Sequence, residues 1–344
     1  VHRGRDRADD STGPDRRTRG MVGDSMNIST LVWMVPLAAI LELGFRYPHI
    51  PHPVSLVGNM LDALESRLRP LAVKLGGKSG STLANGEFRA GFLALIAAVL
   101  ASWIAVSLLG RLPFFGMWIL LFLCYAGLAL GHLLRVGRKA LDALEKGNIE
   151  EGRLRVSHLV SRDLREADTR DIYRALAESL AENFNDAFIA PLFWLCLCGP
   201  AGLWVYKTVS TADSMWGYRT PRWEYFGKTA ARADDVLAFI PARLSALLLW
   251  LTAYGMGGST RTELWPGWRI LRAQARSMSS PNAGWPMAVA AWMHGAVMGG
   301  ATVYHGTSVD KPLLGPSPLA LDDPSWTAGK IRGLMFHLFV AGLV

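Results

Sequence analysis

Acidic and amide side chains recur at helical spacing in one stretch of the sequence, Glu178–Trp194. At roughly 100° per residue, four of them fall on one narrow stripe of a helix, namely Glu178, Glu182, Asn185 and Asp186. Oxygen ligands that converge on one face suit Mg²⁺ or a phosphorylated substrate. An acidic face exposed to solvent would give the same pattern, so both interpretations stay open at this point.

Further candidates lie in three polar stretches downstream. Thr211–Tyr218 comes directly after an apolar run, and its small polar residues either contact a ligand or cap a helix. Acids beside an arginine resemble half of a metal–phosphate site, or the acidic first turn of a helix. The residues concerned are Asp213, Ser214, Tyr218, Arg232, Asp234, Asp235 and Asn282. Arg243 stands inside an apolar run, where a charge is costly enough to mark a functional candidate.

The elements that must position these residues are apolar helices. Of the 344 residues, 51% are hydrophobic and 19% charged, whereas about a quarter of residues are charged in a typical soluble protein. Runs of about 20 apolar residues match the hydrocarbon thickness of a bilayer. Such runs are Ile28–Leu43, Ala90–Leu109, Leu112–Leu134, Ala187–Tyr206, Val236–Met256 and Pro286–Tyr304. The sequence therefore predicts an all-α fold, a polytopic integral membrane helical bundle.

The charged connections predict a particular topology. Four of them are basic, and the positive-inside rule places all four in the cytoplasm; they are Arg46–Arg89, Arg135–Asp186, Lys207–Asp235 and Gly257–Trp285. Simple alternation of spans would put Lys207–Asp235 on the other side. Both constraints are met if Ala187–Tyr206 and Val236–Met256 are re-entrant helices, which their internal glycine and proline residues allow. We therefore expect a multi-pass protein of the cell (inner or plasma) membrane with its active site facing the cytoplasm.

The remaining segments contain none of the candidate site residues. Residues 1–25 are polar and predict a disordered or upstream-translated tail, which leaves 26–344 as a single membrane-embedded domain. His305–Ser325 is rich in proline and glycine and predicts a loop. The formal net charge of +8 is concentrated beside the apolar runs, so it favours contact with anionic membrane lipids and argues against nucleic acid as a partner.

Several motifs occur in a fixed order along most of the chain, from about Pro48 to Tyr304. They are His52–Gly58, Leu64–Glu65, Glu178–Asp186, Ile189–Phe193, Asp213–Met215, Asp234–Asp235, Ile240–Arg243 and Ser280–Pro286. In this combination they resemble the adenosylcobinamide-phosphate synthase family of cobalamin biosynthesis (CobD/CbiB). The resemblance implies a ligase that uses ATP and Mg²⁺ to join a carboxyl group of adenosylcobyric acid, a corrinoid, to (R)-1-aminopropan-2-ol or its O-phosphate. The product would be adenosylcobinamide or its phosphate.

The resemblance also implies roles for the candidate residues. Catalytic roles are expected of Glu182, Asp213, Asp234 and Asp235, and Mg²⁺ ligation of Glu182, Asp186 and Asp234. Contacts to the substrates or ATP are expected of Glu178, Asn183, Lys207, Ser214, Tyr218, Arg232, Arg243 and Asn282. Two alternatives stay open from the sequence: a regulatory membrane relative without catalysis, and a membrane transporter.

Overall fold

The computed structural model describes residues 28–72, 74, 80–218, 220–255, 266–304 and 306–344. The predicted tail, residues 1–25, lies outside these ranges. The single-domain organisation of residues 26–344 stays a prediction.

Thirteen α-helices and one β-hairpin account for most of the described residues. The first seven helices are α1 (Ile28–Gly44), α2 (Pro53–Leu68), α3 (Gly80–Leu109), α4 (Gly116–Gly127), α5 (Leu130–Glu145), α6 (Ile149–Ser157) and α7 (Thr169–Phe184). The others are α8 (Ala190–Trp216), α9 (Lys228–Leu237), α10 (Phe239–Gly255), α11 (Gly267–Ser277), α12 (Gly284–Met293) and α13 (Ala328–Leu343). Short 3₁₀ turns lie at Arg69–Leu71 and Pro318–Ala320, and a π-helical turn, Asn185–Ile189, joins α7 to α8.

The centre of the fold is a helical rod, which comprises α7, the π-helical turn and α8. Helix α7 begins where the Asp168 side chain accepts a hydrogen bond from the Asp171 backbone N–H, a standard N-cap. Helices α2, α3, α4 and α9 pack around α8, while α5, α12 and α13 pack around α7. Apolar side chains of the rod, such as Leu180, Phe184 and Phe188, are fully buried by these neighbours.

Three helical stretches of the described chain are long and apolar enough to cross a membrane: Ser81–Leu109, Gly116–Glu145 and Thr169–Trp216. Helices α9 and α10 would add a fourth span if they are counted together, since they are bent by 44° relative to each other. The predicted all-α membrane bundle is therefore confirmed. Helix α1 is apolar as expected, but with 17 residues it falls short of these spans.

The segments predicted to be re-entrant are both bent. Helix α8 is interrupted at Gly199, whose φ of 68° and ψ of −169° are not helical, and Pro200 follows. A positive φ is readily adopted by glycine because it has no Cβ atom. Helix α10 contains Pro241 in its first turn and follows the 44° bend after α9. A bend of this kind is compatible with a broken span or with a re-entrant loop, so the re-entrant topology stays a prediction.

The prediction for the C-terminal part was wrong in one respect. Pro286–Tyr304 is not a membrane helix: α12 ends at Met293, and strand β1 (Met298–Tyr304) pairs antiparallel with β2 (Thr307–Leu314). The expected loop, His305–Ser325, therefore contains a strand. Gly295, Gly299 and Gly300 all have positive φ, a conformation that a helix cannot contain. Small residues suit both a packed membrane helix and this irregular backbone, which is why the pattern misled.

Candidate active site

The predicted acidic stripe begins on α7 and continues into the π-helical turn. Glu178 and Asn185 are each only 2% exposed, so the stripe faces the protein interior and the solvent-exposed interpretation is excluded for these two residues. Asn185 Nδ2 donates a hydrogen bond of 2.7 Å to Asp186 Oδ1. Single π-helical turns inside α-helices frequently occur at functional sites. Here the turn carries Asp186 at the junction of the rod's two helices.

Three carboxylates from different elements meet near one lysine, and we call this group the carboxylate cluster: Asp186, Lys207, Asp213 and Asp234. Asp186 lies on the π-helical turn, Lys207 and Asp213 on α8, and Asp234 on α9. Asp234 interacts electrostatically with both other acids, and Lys207 with Asp186 and Asp234. The structure therefore brings together four residues from three separate parts of the sequence, all of which were predicted to be site residues.

The polar atoms of the carboxylate cluster are incompletely satisfied. Asp234 Oδ1 is buried and has no hydrogen-bond partner among the described residues, and the same holds for Asn185 Oδ1 beside Asp186. Buried polar atoms in folded proteins are normally hydrogen-bonded, because an unpaired one costs free energy. Acceptor oxygens without donors are suited to a cation or to a ligand with N–H or O–H groups.

Glu182 lies beside the carboxylate cluster, one turn before Asp186 on the rod. It interacts electrostatically with Asp186 and also with Lys311 on strand β2. The β-hairpin thus contributes a positive charge to this side of the site. Glu182 is the residue that links the carboxylate cluster to the more N-terminal part of the stripe.

Glu178 has a different environment, which we call the Glu178 joint: Glu178, Arg162 and Gly299. The Glu178 carboxylate forms a buried ion pair with the Arg162 guanidinium and accepts a 2.7 Å hydrogen bond from the Gly299 backbone N–H. Both side chains are less than a tenth exposed. The joint therefore fastens α7 to the loop before it and to strand β1, and the Glu178 oxygens already have donors.

Arg243 and Asn282 form a hydrogen-bonded network of their own. Arg243 Nη1 donates to Asn282 Oδ1 at 2.7 Å, and the guanidinium lies over the rings of Phe239 and Trp285. Asn282 Nδ2 in turn donates to the Asp235 backbone carbonyl at 2.8 Å. The network ties α9 and α10 to the turn before α12. It positions the backbone of Asp235, the residue next to Asp234.

Four other predicted residues have no described contact with the carboxylate cluster. Asn183 Nδ2 donates to the Ser179 carbonyl of its own helix at 2.9 Å, and Ser214 Oγ donates to the Ser210 carbonyl at 2.9 Å. Both bonds are local to one helix. The side chains of Tyr218 and Arg232 are exposed.

Sequence reasoning missed His52 as a neighbour of the site. Its Nδ1 accepts a hydrogen bond of 3.2 Å from the Val54 backbone N–H at the start of α2, which leaves the ring proton of a neutral imidazole on Nε2. Burial lowers the pKa of His52, and the charges of Lys207 and His132 lower it further. The sequence did contain a signal for the position of His52: it directly precedes Pro53, and proline is favoured as the first residue of a helix. For Lys311 and Arg162 the sequence carries no signal, because their partners are distant along the chain.

The predicted metal ligands are not arranged as a preformed site. Within the described ranges, no three His, Cys, Asp or Glu side chains could together hold a metal ion. Glu182, Asp186 and Asp234 thus do not make a complete protein cage. Mg²⁺ is commonly held by one or two carboxylates together with water and substrate phosphates. The free oxygens near Asp186 and Asp234 fit that smaller contribution.

Comparison with known proteins points to one family. A family model described as CobD/Cbib protein matches residues 35–328. "Cobalamin biosynthesis protein CobD" of Geobacter metallireducens is 36% identical over 303 residues, which cover 87% of this chain and 91% of that protein. The protein of the same name from Stutzerimonas stutzeri is 37% identical, with 81% and 85% covered. "Cobalamin biosynthesis protein CbiB" of Salmonella typhimurium is 33% identical, with 87% and 92% covered. No solved structure gives a significant match.

Proposed function

The chain belongs to the CobD/Cbib protein family and so has a role in cobalamin biosynthesis, and from this premise we propose that it is an amide-forming ligase. Its substrates would be adenosylcobyric acid, ATP and either (R)-1-aminopropan-2-ol or the O-phosphate of that amine. The product would be adenosylcobinamide or its phosphate. The resemblance of the motifs to adenosylcobinamide-phosphate synthases supports this choice of reaction.

One structural observation carries the proposal: the unpartnered Asp234 Oδ1 lies in a group of three carboxylates around Lys207. Such a group has little value for stability, since three neighbouring carboxylates repel one another. It is well suited to a reaction that handles phosphate, a divalent cation and an amine.

The reaction has two steps that these residues would assist. First, a substrate carboxylate oxygen attacks the γ-phosphorus of ATP, which forms an acyl phosphate and releases ADP. The amine nitrogen then attacks the acyl carbon, inorganic phosphate leaves, and the nitrogen gives up a proton. Lys207 would stabilise the negative charge that develops on the phosphoryl oxygens in the first step. Asp213, the acid of the cluster nearest the C-terminal end of α8, would accept the amine proton in the second step.

Asp186 and Asp234 would contribute the protein ligands to Mg²⁺, with Glu182 beside them. When bound, the ion would supply positive charge that offsets part of the negative charge of the ATP phosphates. Arg243, Asn282 and Glu178 are assigned positioning roles instead of substrate contacts. Their polar groups bond to other parts of the protein, and the Arg243–Asn282 network fixes the chain at Asp235.

We also propose that the carboxylate cluster faces the cytoplasm, where ATP is available. Support comes from the bent helices α8 and α9–α10, which allow Lys207–Asp235 to lie on the same side as the other basic connections. Labelling of a cysteine introduced at Tyr218, an exposed residue, tests the orientation. Reaction with an impermeant reagent from the outer side of intact cells would contradict this topology.

The test of the activity is direct. Purified full-length protein is incubated with adenosylcobyric acid, amine, ATP and Mg²⁺, and cobinamide product is measured together with ADP. We expect product that depends on all four components and that falls by about a hundredfold in Asp234→Asn and Glu182→Gln. The control is Asp142→Asn, which removes an exposed acid on α5. Folded protein that forms no product with either amine would refute the proposal.

A further inference from the structure

A second site of a different kind lies between α1, α5 and α13. There a cavity of about 290 Å³ is lined by three arginines, Arg135, Arg138 and Arg332, and by apolar side chains that include Phe336 and Phe339. None of the lining residues belongs to the carboxylate cluster. The cavity is therefore separate from the carboxylate cluster.

The positive charge of this cavity is only partly neutralised. Arg332 pairs with Glu145, while Arg135 Nη2 stays 4.0 Å from Glu42. The Glu42 carboxylate is already occupied, because it accepts hydrogen bonds from the Gly131 and His132 backbone N–H groups at 2.8 and 3.0 Å. It thereby caps the N-terminus of α5, where negative charge is favourable.

Arg138 is exposed and forms no ion pair with any residue that the structure describes. The cavity thus combines an uncompensated guanidinium with a second one that is only weakly paired. Arginine presents several N–H donors in a planar arrangement that matches phosphate oxygens. An anion with several oxygens is therefore the complementary ligand.

The two helices that bear the arginines each have a charged end and an apolar end. In α5 the charged end is C-terminal, and in α13 it is N-terminal. Helix α5 begins with Leu130 and carries Arg138 later, whereas α13 begins near Arg332 and ends in apolar residues. The Arg332–Glu145 pair joins their charged ends, and Gly342 lies against Leu130 at their apolar ends. The antiparallel packing thus places Arg138 and Arg332 towards the charged ends of the two helices and Phe339 nearer their apolar ends, with Arg135 between them. This is the polarity of a membrane surface, with headgroups above acyl chains.

We propose that the cavity binds the headgroup phosphate of an anionic phospholipid, with the acyl chains lying along Phe336 and Phe339. The arginines contact the phosphate oxygens. The two phenylalanines are 53% and 38% exposed, and acyl chains would cover them. A free phosphate ion would leave this apolar wall unused. Basic pockets at the ends of membrane helices are known to hold such headgroups.

The test uses the full chain purified in detergent and native mass spectrometry to count retained lipid. Phosphatidylglycerol is offered against phosphatidylcholine. We expect preferential retention of phosphatidylglycerol, and Arg138→Gln should lower this retention about fivefold, the usual contribution of one basic residue at an anionic surface. The matched control is Lys139→Gln, which removes the same charge at the same depth of α5 but does not line the cavity.

A second variant separates a lipid from a free anion. Phe336→Ser removes apolar surface and keeps all three arginines, so it should also reduce phosphatidylglycerol retention. Equal losses in Arg138→Gln and Lys139→Gln would mean diffuse surface attraction and would overturn the proposal. Displacement of the lipid by inorganic phosphate or ATP, with no effect of Phe336→Ser, would overturn it as well, since the cavity would then be a free-anion site.

Discussion

Two charged regions on the same helical rod differ in how their charges are satisfied. At the Glu178 joint, the carboxylate has both an arginine partner and a backbone N–H donor. In the carboxylate cluster, three acids share the neighbourhood of Lys207, and Asp234 Oδ1 has no donor among the described residues. Acids that belong to one continuous sequence motif can therefore have separate tasks. The paired one holds the fold together, and the unpaired ones are available to a ligand.

The largest effect is expected at the Glu178 joint. Glu178→Gln should lower the free energy of unfolding by about 3–5 kcal/mol, because Arg162 would keep a buried charge without its partner. Thermal unfolding of the purified protein measures this loss. The control is Glu150→Gln, which removes an 84% exposed carboxylate from its pair with Arg153 and should change stability by less than about 1 kcal/mol. Equal midpoints for the two variants would remove the distinction between joint and cluster.

The carboxylate cluster should respond in the opposite sense. Asp234→Asn removes one of several repelling negative charges, so stability should be unchanged or slightly increased. Product formation should fall by about a hundredfold, as is typical when one preorganised electrostatic contact is lost. Both quantities are measured on the same preparation. A parallel loss of stability and activity would assign the cluster a structural role like that of Glu178.

Some features of these two regions could be predicted from the sequence, and others could not. The apolar runs and the position of the acidic stripe were predictable, because hydrophobic length and helical spacing are local properties. The separate fates of Glu178 and Asp186 were not. They depend on Arg162 and Gly299 in one case and on Lys207 and Asp234 in the other, which are brought together by tertiary packing. The β-hairpin was hidden for a similar reason, since the positive φ of Gly299 cannot be read from its identity alone.

The Arg243–Asn282 network offers an intermediate case between joint and cluster. Asn282→Ala would leave Arg243 Nη1 and the Asp235 carbonyl each without one partner, at a cost of about 1–3 kcal/mol. Activity should fall as well, because Asp235 and Asp234 would be held less firmly. Asn282→Asp keeps the acceptor for Arg243 and loses the donor to Asp235, so unfolding and activity assays on both variants separate the two bonds. If Asn282→Ala leaves activity intact, the network does not position the cluster.

The His294–His337 pair is a buried contact whose contribution to stability should depend on pH. His294 Nε2 and His337 Nδ1 are 3.4 Å apart, and the contact joins α12 to α13. Burial, together with the neighbouring His337 and Lys330, lowers the pKa of His294 from 6.5 to about 3. Burial also lowers the pKa of His337. Both imidazoles are therefore neutral in the folded protein at pH 7.

The sign of the effect follows from proton binding. Below pH 6.5 the unfolded chain takes up a proton at His294 and the folded protein does not, so stability is complete above pH 6.5 and declines as the pH falls towards 3. The expected slope is about 1.4 kcal/mol per pH unit from this group. His294→Gln removes the titrating group, so its stability at pH 5 relative to pH 7.5 should fall less than that of the unsubstituted protein. Parallel losses in the two proteins would show that His294 titrates equally in both states, and that burial without a charged partner does not make this contact sensitive to acid.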